Sequence, residues 1–288
     1  MLAIETIDDP LQMIHAAIAW MTRDEANHTV AINALNQVAA HATRGWAIGP
    51  SRPTARLVIA RRDGEITALA LQSQVNIFPC GDDAQALTEI ARSWPDGSAL
   101  RTVVGPRDAA LAFAAGLPCT AREHMRLLLF ELTGLPIAGD ARGRFIHARL
   151  ANLEVLTVWQ RMFMHEARVL ARDGDDPRRL IRNRIVADEV RMWLDERDEP
   201  VCYAGIVRIA PHGARIGPVY TPPTFRRRGY AQALVAHICM EERVRGGRVI
   251  SLFTDTANPT SSAVYRRVGF RSLNEHVHLE LTSVAREY

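Results

Sequence analysis

The stretch Gly134 to Gly143, GLPIAGDARG, constrains the fold more than any other, because the segments on its two sides spell out similar orders of strands and helices. It mixes three glycines and a proline with no apolar periodicity, as connectors do. A chain of 288 residues also exceeds the ~100–200 usual for one domain. Two domains are expected, 1–134 and 144–288, with a linker at 135–143.

Before the connector, Leu11, Ile14, Ile18 and Met21 recur at helical spacing, and Asp63-Gly64 sits between two β-prone runs as a hairpin turn would. A helix from Asp83, a strand turning into a helix over Arg101 to Gly116, and a strand from Met125 to Leu132 follow. The half reads α, ββ, α, β, α, β. After the connector come a strand at Arg144, a helix from Asn152 to about Ala171 with Leu153, Leu156, Trp159, Met162 and Phe163 along one face, and a helix from Pro177 to about Asp188. Strands from Val190 and Val201 meet at Asp198-Glu199, and a turn from Ala210 leads into the strand ending at Thr221. A loop, a helix to about Arg245, a strand, a helix after Asn258 and a strand near His276 complete the half. The expected class is α/β, a duplicated fold whose copies have diverged.

Composition narrows the function. With 48% hydrophobic and 23% charged residues the chain is an ordinary globular protein and not a disordered one. All 35 basic residues are arginine, so no lysine is present to act as a base or form a Schiff base. A net charge of +3, dispersed along the chain, does not point to nucleic acid. Cys80, Cys119, Cys202 and Cys239 form no CxxC pair and suggest neither a metal site nor a disulfide framework. The N-terminus carries acids where a secretory signal carries basic residues, and no run approaches the ~20 apolar residues that span a bilayer. A cytoplasmic protein is expected, without a membrane or nucleic-acid partner and as a monomer or homodimer.

The most informative stretch is Tyr220 to Ile238, YTPPTFRRRGYAQALVAHI. Ala231, Leu234, Val235, Ile238 and Cys239 fall on one helical face, which leaves the helix N-terminus beside Arg226, Arg227, Arg228 and Gly229. Unpaired N–H groups at such a terminus, a glycine that lets a ligand approach the backbone, and guanidinium groups together suit a diphosphate. The plain alternative is a solvated basic turn.

Arg226-x-x-Gly229-x-Ala231, after a strand ending in Val219-Tyr220-Thr221, resembles the coenzyme A pyrophosphate loop of the GNAT superfamily of N-acetyltransferases. Asn258, Tyr265 and Gly269-Phe270 are similar to the superfamily's closing signature. The resemblance covers about Arg144 to Leu281 and is most specific from Gly217 to Phe270. It implies two GNAT-like domains in tandem, each a central mostly antiparallel sheet flanked by helices, with acetyl-CoA as co-substrate and no metal.

The implied donor site is built from Val219, Tyr220, Thr221, Arg226, Arg227, Arg228, Gly229, Tyr230, Ala231 and Asn258. By resemblance, backbone near Val219 would hold the oxyanion of the tetrahedral intermediate, and Gly217 to Thr221 would pair with pantetheine like an added strand. Tyr265 is the candidate general acid for the leaving thiolate, although it also suits a buried packing position. Glu166 is the foremost candidate base, with His165, Glu189, His212 and a bound water behind it. Asn258 before Pro259 also reads as an N-cap, and Gly269 as a helix C-terminal glycine.

The first half has no Arg-x-x-Gly-x-Ala loop; its nearest equivalent, at Gly105-Pro106, loses an N–H to proline and offers only Arg107. It resembles a degenerate GNAT half that binds no coenzyme A and walls the acceptor side, with Arg23 to His28 either lining that wall or forming solvated surface. The expected function is transfer of acetyl from acetyl-CoA to a primary amine of a small molecule, amino-acid derivative or peptide. A non-catalytic acyl-CoA sensor, or a partner-binding protein on an inherited fold, are the alternatives.

Overall fold

The computed structural model describes residues 1–43, 55–94, 100–168, 176–209 and 212–283. The chain divides into two compact units, Met1–Leu129 with Asn274–Tyr288, and Phe130–Leu273. This corrects the division expected from the connector, because the C-terminal strand belongs to the first unit. His276 to Glu280 pair antiparallel with Thr102 to Pro106, and that ladder ties the end of the chain into the first sheet. Residues 135–143 belong to unit 2 rather than standing apart: Ile137 N–H donates to Val268 O at 2.9 Å and Trp193 Nε1 to Arg142 O at 3.1 Å.

Unit 1 runs β1 (Leu2–Ile7), α1 (Pro10–Met21), α2 (Thr29–Thr43), β2 (Ala55–Arg62), β3 (Glu65–Ser73), β4 (Asn76–Cys80), α3 (Ala84–Arg92), β5 (Thr102–Pro106), α4 (Arg107–Ala115) and β6 (Cys119–Leu132). Its strands follow the order β1-β2-β3-β4-β5-β12-β6, where β12 is Phe270–Ser283. Asp63 and Gly64 take the positive φ values that a tight Asp-Gly hairpin requires. Strands β1 and β4 are additions to the expected order. The first is a mostly exposed edge strand and the second a five-residue strand holding Pro79, so neither shows a long apolar run. Helix α1 buries Met13, Ala17 and Met21 and leaves Leu11 exposed, one step around the helix from the expected stripe. The core gathers Ile77, Leu87, Ile90, Val103, Phe113 and Val277 between the sheet and helices α3 and α4.

Unit 2 follows the expected order: β7 (Arg144–His147), α5 (Leu153–Glu166), α6 (Pro177–Val186), β8 (Val190–Leu194), β9 (Pro200–Ile209), β10 (Gly213–Tyr220), α7 (Tyr230–Val244), β11 (Val249–Asp255) and α8 (Pro259–Val268). The expected helix end at Ala171 and the turn residues Ala210 and Pro211 lie outside the described residues. Strands β7 to β10 are antiparallel neighbours and β11 joins β10 in parallel. Helices α5 and α6 pack Leu156, Trp159 and Ile181 on Met192 and Tyr203. Successive strand residues face opposite sides. Arg191, next to Met192, therefore reaches the other side, where it meets Glu241 of α7 at 2.7 Å. Among the described residues no helix is long and apolar enough to cross a membrane.

Candidate active site

Strands β10 and β11 are paired only from Gly213–Val249 to Ile216–Leu252, yet both run on, to Tyr220 and Asp255. β10 keeps its other partner, β9, through a register shift between Ile216 and Val219 that contains the cis Gly217-Pro218 peptide. A Cβ added at Gly217 would meet no atom within 4 Å. The backbone of Val219, Tyr220 and Thr221 thus has no ladder to β11.

The chain then makes a single 3-10 turn at Pro223–Phe225, and left-handed conformations at Arg227 and Gly229 lead it into α7. Gly229 is the N-cap at φ +80°, and no side chain caps the helix. Its first N–H groups, around Tyr230 and Ala231, are left to solvent or a ligand. Arg227, Arg228 and Gly229 are exposed at this mouth. Ala141 is the neighbour a side chain at Gly229 would meet, at 3.4 Å.

Arg226 already has protein partners. Its side chain folds back, Nε donating to Thr221 O at 2.9 Å and Nη2 to Glu166 Oε2 at 2.7 Å, with the guanidinium 5.7 Å from the Tyr220 ring centre. Tyr220 is buried and donates its hydroxyl to Glu166 Oε1 at 3.1 Å; burial, and then Glu166, push that phenol's pKa up. Each Glu166 oxygen therefore already accepts a hydrogen bond, and the carboxylate serves as an anchor for the loop. Arg226 and Glu166 stand 60 residues apart, so no local pattern announces the pair.

On the far side of the loop, Asn258 caps α8 by accepting from Ser261 N–H at 3.1 Å, with Pro259 at the first helical position. Gly269 at φ +113° closes that helix. Between them Tyr265 is buried edge-on against Phe270, with ring centres 6.2 Å apart. Burial pushes its phenol well above the usual tyrosine range, and the nearby Cys202 thiol adds to the effect. Thr221 Oγ1 in turn donates to Cys202 Sγ at 3.2 Å, so Tyr265 belongs to the neighbourhood of the β10 end.

The remaining candidates are dispersed. His165 and His212 are exposed, and Glu189 sits part-buried before β8 with its pKa raised by burial against the pull of Arg184 and Arg208. Arg23 to His28 is not solvated surface throughout: Glu25 and His28 are buried, and His28 stacks on Trp20 at 5.1 Å. His147, Asp188 and Glu241 converge as a metal site would, but Arg191 and Arg245 already bridge both carboxylates, which makes the group an ion-pair network.

Residues 156–270 match the family model described as the Acetyltransferase (GNAT) family. The chain is similar in fold to a GNAT-family acetyltransferase from Colwellia psychrerythraea, at 11% identity and a TM-score of 0.61 over 97% of this chain and 100% of that one. A GCN5-related N-acetyltransferase from Sphaerobacter thermophilus gives 16% and 0.56 over 96% and 95%. A tandem GNAT protein from the clavulanic acid biosynthesis pathway gives 10% and 0.50 over the full length of both chains. No curated protein sequence matches. The fold resembles a tandem of GNAT units, and the stretch that matches the acetyltransferase family model lies within the second unit.

Proposed function

We propose that the GNAT acetyltransferase domain in unit 2 binds acetyl-CoA and transfers its acetyl group to a primary amine of a small molecule, amino-acid derivative or peptide. The observation that carries this reading is the uncapped, glycine-opened N-terminus of α7 placed directly after a strand end that has lost its parallel partner. The first suits the diphosphate, through helix N–H groups and the exposed Arg227 and Arg228. The second suits the pantetheine amides, which can pair with Val219 to Thr221 as an added strand.

With the thioester held there, the amine nitrogen attacks the carbonyl carbon and gives its extra proton to water. Negative charge builds on the carbonyl oxygen, where a backbone N–H near Val219 is the donor. As the C–S bond breaks, Tyr265 donates its hydroxyl to the departing sulfur. Burial keeps the phenol protonated but also makes it a weaker acid, so its part is to hydrogen-bond the departing sulfur, with the proton passing as negative charge builds there. Glu166 acts through the loop, holding Arg226 and Tyr220 so that Arg227 to Gly229 keep their conformation.

Thiol release from acetyl-CoA, followed across a panel of primary amines, tests the reading. Amine-dependent release is expected. A protein that binds acetyl-CoA but releases thiol with none of the amines is a sensor and not a transferase.

A further inference from the structure

Two arginines of unit 2 that are not exposed are paired with acids: Arg191 with Asp188 and Glu241, and Arg208 with Glu242. Arg184 and Arg215 are not. Among the described residues neither has a carboxylate within ion-pair distance, and Arg215 Nη1 is shut off from water without a hydrogen-bond partner.

The two lie on the same face of the sheet. Arg215 of β10 pairs with Val207 of β9, and Val207 alternates with Gly205 and Tyr203, whose ring packs against Trp159 of α5. Arg184 comes from α6 onto that face and donates Nη1 to Gly217 O at 3.3 Å. Gly205 makes room for it, because a Cβ there would lie 2.6 Å from Nη1. Burial brings Arg215 down to about 10, and the like charge of Arg184 works in the same direction. Burial also lowers Arg184, with Glu189 pulling the other way from beyond ion-pair distance. Two part-buried cations on one face, with no carboxylate at ion-pair distance and one guanidinium nitrogen shut off from water, are costly unless an anion arrives. At Gly217, whose carbonyl accepts from Arg184, an added Cβ would meet no atom within 4 Å.

We infer that Arg184 and Arg215 hold a carboxylate of the acetyl acceptor, so that the acceptor is an amine carrying a carboxylate a few bonds from its nitrogen. The inference rests on the acetyl-transfer reading above. Gly217 precedes Val219 by two residues, at most about 7 Å of strand. A carboxylate at the arginines therefore places a nearby amine at the divergent end of β10, on the α5–α6 face.

The test uses the full chain saturated with coenzyme A and follows melting temperature with N-acetylglycine, N-acetylglycinamide and inorganic phosphate. The acid is expected to stabilise the protein and the amide not. Arg215→Gln and Arg184→Gln should weaken the response to the acid about tenfold or more while leaving acetyl-CoA binding intact by calorimetry. Without ligand Arg215→Gln should melt no lower than the wild type, because it removes an unpaired interior cation. In thiol release, amino acids should outperform their carboxamides, with the variants losing that preference through KM more than kcat. A lower ligand-free melting temperature with an unchanged response to the acid would make the pair structural and overturn the inference. Stabilisation by phosphate but not by carboxylates would overturn it as well. If no amine is acetylated yet the response to the acid disappears in Arg215→Gln, the anion seat stands and the acetyl-transfer reading falls.

Discussion

Helices α3 and α7 begin in the same place, after a strand that pairs in parallel with the next one, and they are finished in opposite ways. In unit 1 the mouth of α3 is closed by Asp83, whose carboxylate accepts from Ala86 N–H at 3.0 Å, with Asp82 beside it. In unit 2 the mouth of α7 is Gly229, with no side-chain cap and with arginines before it. The strands differ in the same sense. Beyond the paired residues of β4 and β5, a Cβ on Gly105 would lie 3.0 Å from Pro79 O, so the backbones stay in contact. Beyond the paired residues of β10 and β11, a Cβ on Gly217 would meet no atom within 4 Å. A cavity of about 360 Å³ does lie at the mouths of α3 and α4, but Asp82, Asp108 and Glu275 line it, and Arg107 is 3.7 Å from both Asp108 and Glu275. The lesson is that a strand–loop–helix unit can be finished for packing alone. A carboxylate at the cap is enough to satisfy the helix and repel a phosphate.

The change that should break the contrast most completely is Gly229→Glu, which gives α7 the acidic mouth of α3. Acetyl-CoA binding should vanish in calorimetry while the circular dichroism spectrum is kept. Gly229→Ala carries the same left-handed backbone strain, about 1–3 kcal/mol, without the charge. If the two variants lose affinity equally, strain and not charge is the cause. Next in size, Tyr265→Phe should keep acetyl-CoA binding and lower kcat by about 10²–10⁴-fold with little change in KM. Full activity would return Tyr265 to the core, and lost binding would make it a contact residue instead.

Smaller effects sharpen the account. Glu166→Gln should loosen the loop and weaken acetyl-CoA binding only severalfold, because the ion pair with Arg226 is exposed and worth at most about 1 kcal/mol. A collapse of kcat together with loss of the basic-side dependence on pH would instead make Glu166 the base. Asp83→Ala should cost about 1 kcal/mol of stability through the lost cap and leave acetyl-CoA affinity unchanged. A change in affinity would mean that unit 1 takes part in binding the donor.

Much of unit 2 was legible because its elements are long and its signals local. Pro259 after Asn258, Gly269 after a helical run, and the glycine at the start of α7 all mark boundaries that the structure keeps. Unit 1 was harder to follow. β1 is a short, mostly exposed edge strand and β4 a five-residue strand with a proline, and each acquires its identity from neighbours in the sheet rather than from its own pattern. The assignment of β12 to unit 1 is likewise a pairing with β5, about 170 residues earlier in the chain, which no window of sequence reveals. The same holds at the site. The loop was visible as a motif, but the turning of Arg226 onto Glu166, and the placing of Arg184 and Arg215 on one face of the sheet, are products of tertiary packing.

The count of acetyl-CoA molecules bound per chain tests the difference between the two mouths most directly. Calorimetry of the full chain should give one, with the heat abolished by Gly229→Glu and unaffected by Asp83→Ala. A stoichiometry of two, or one site that survives Gly229→Glu, would contradict the account.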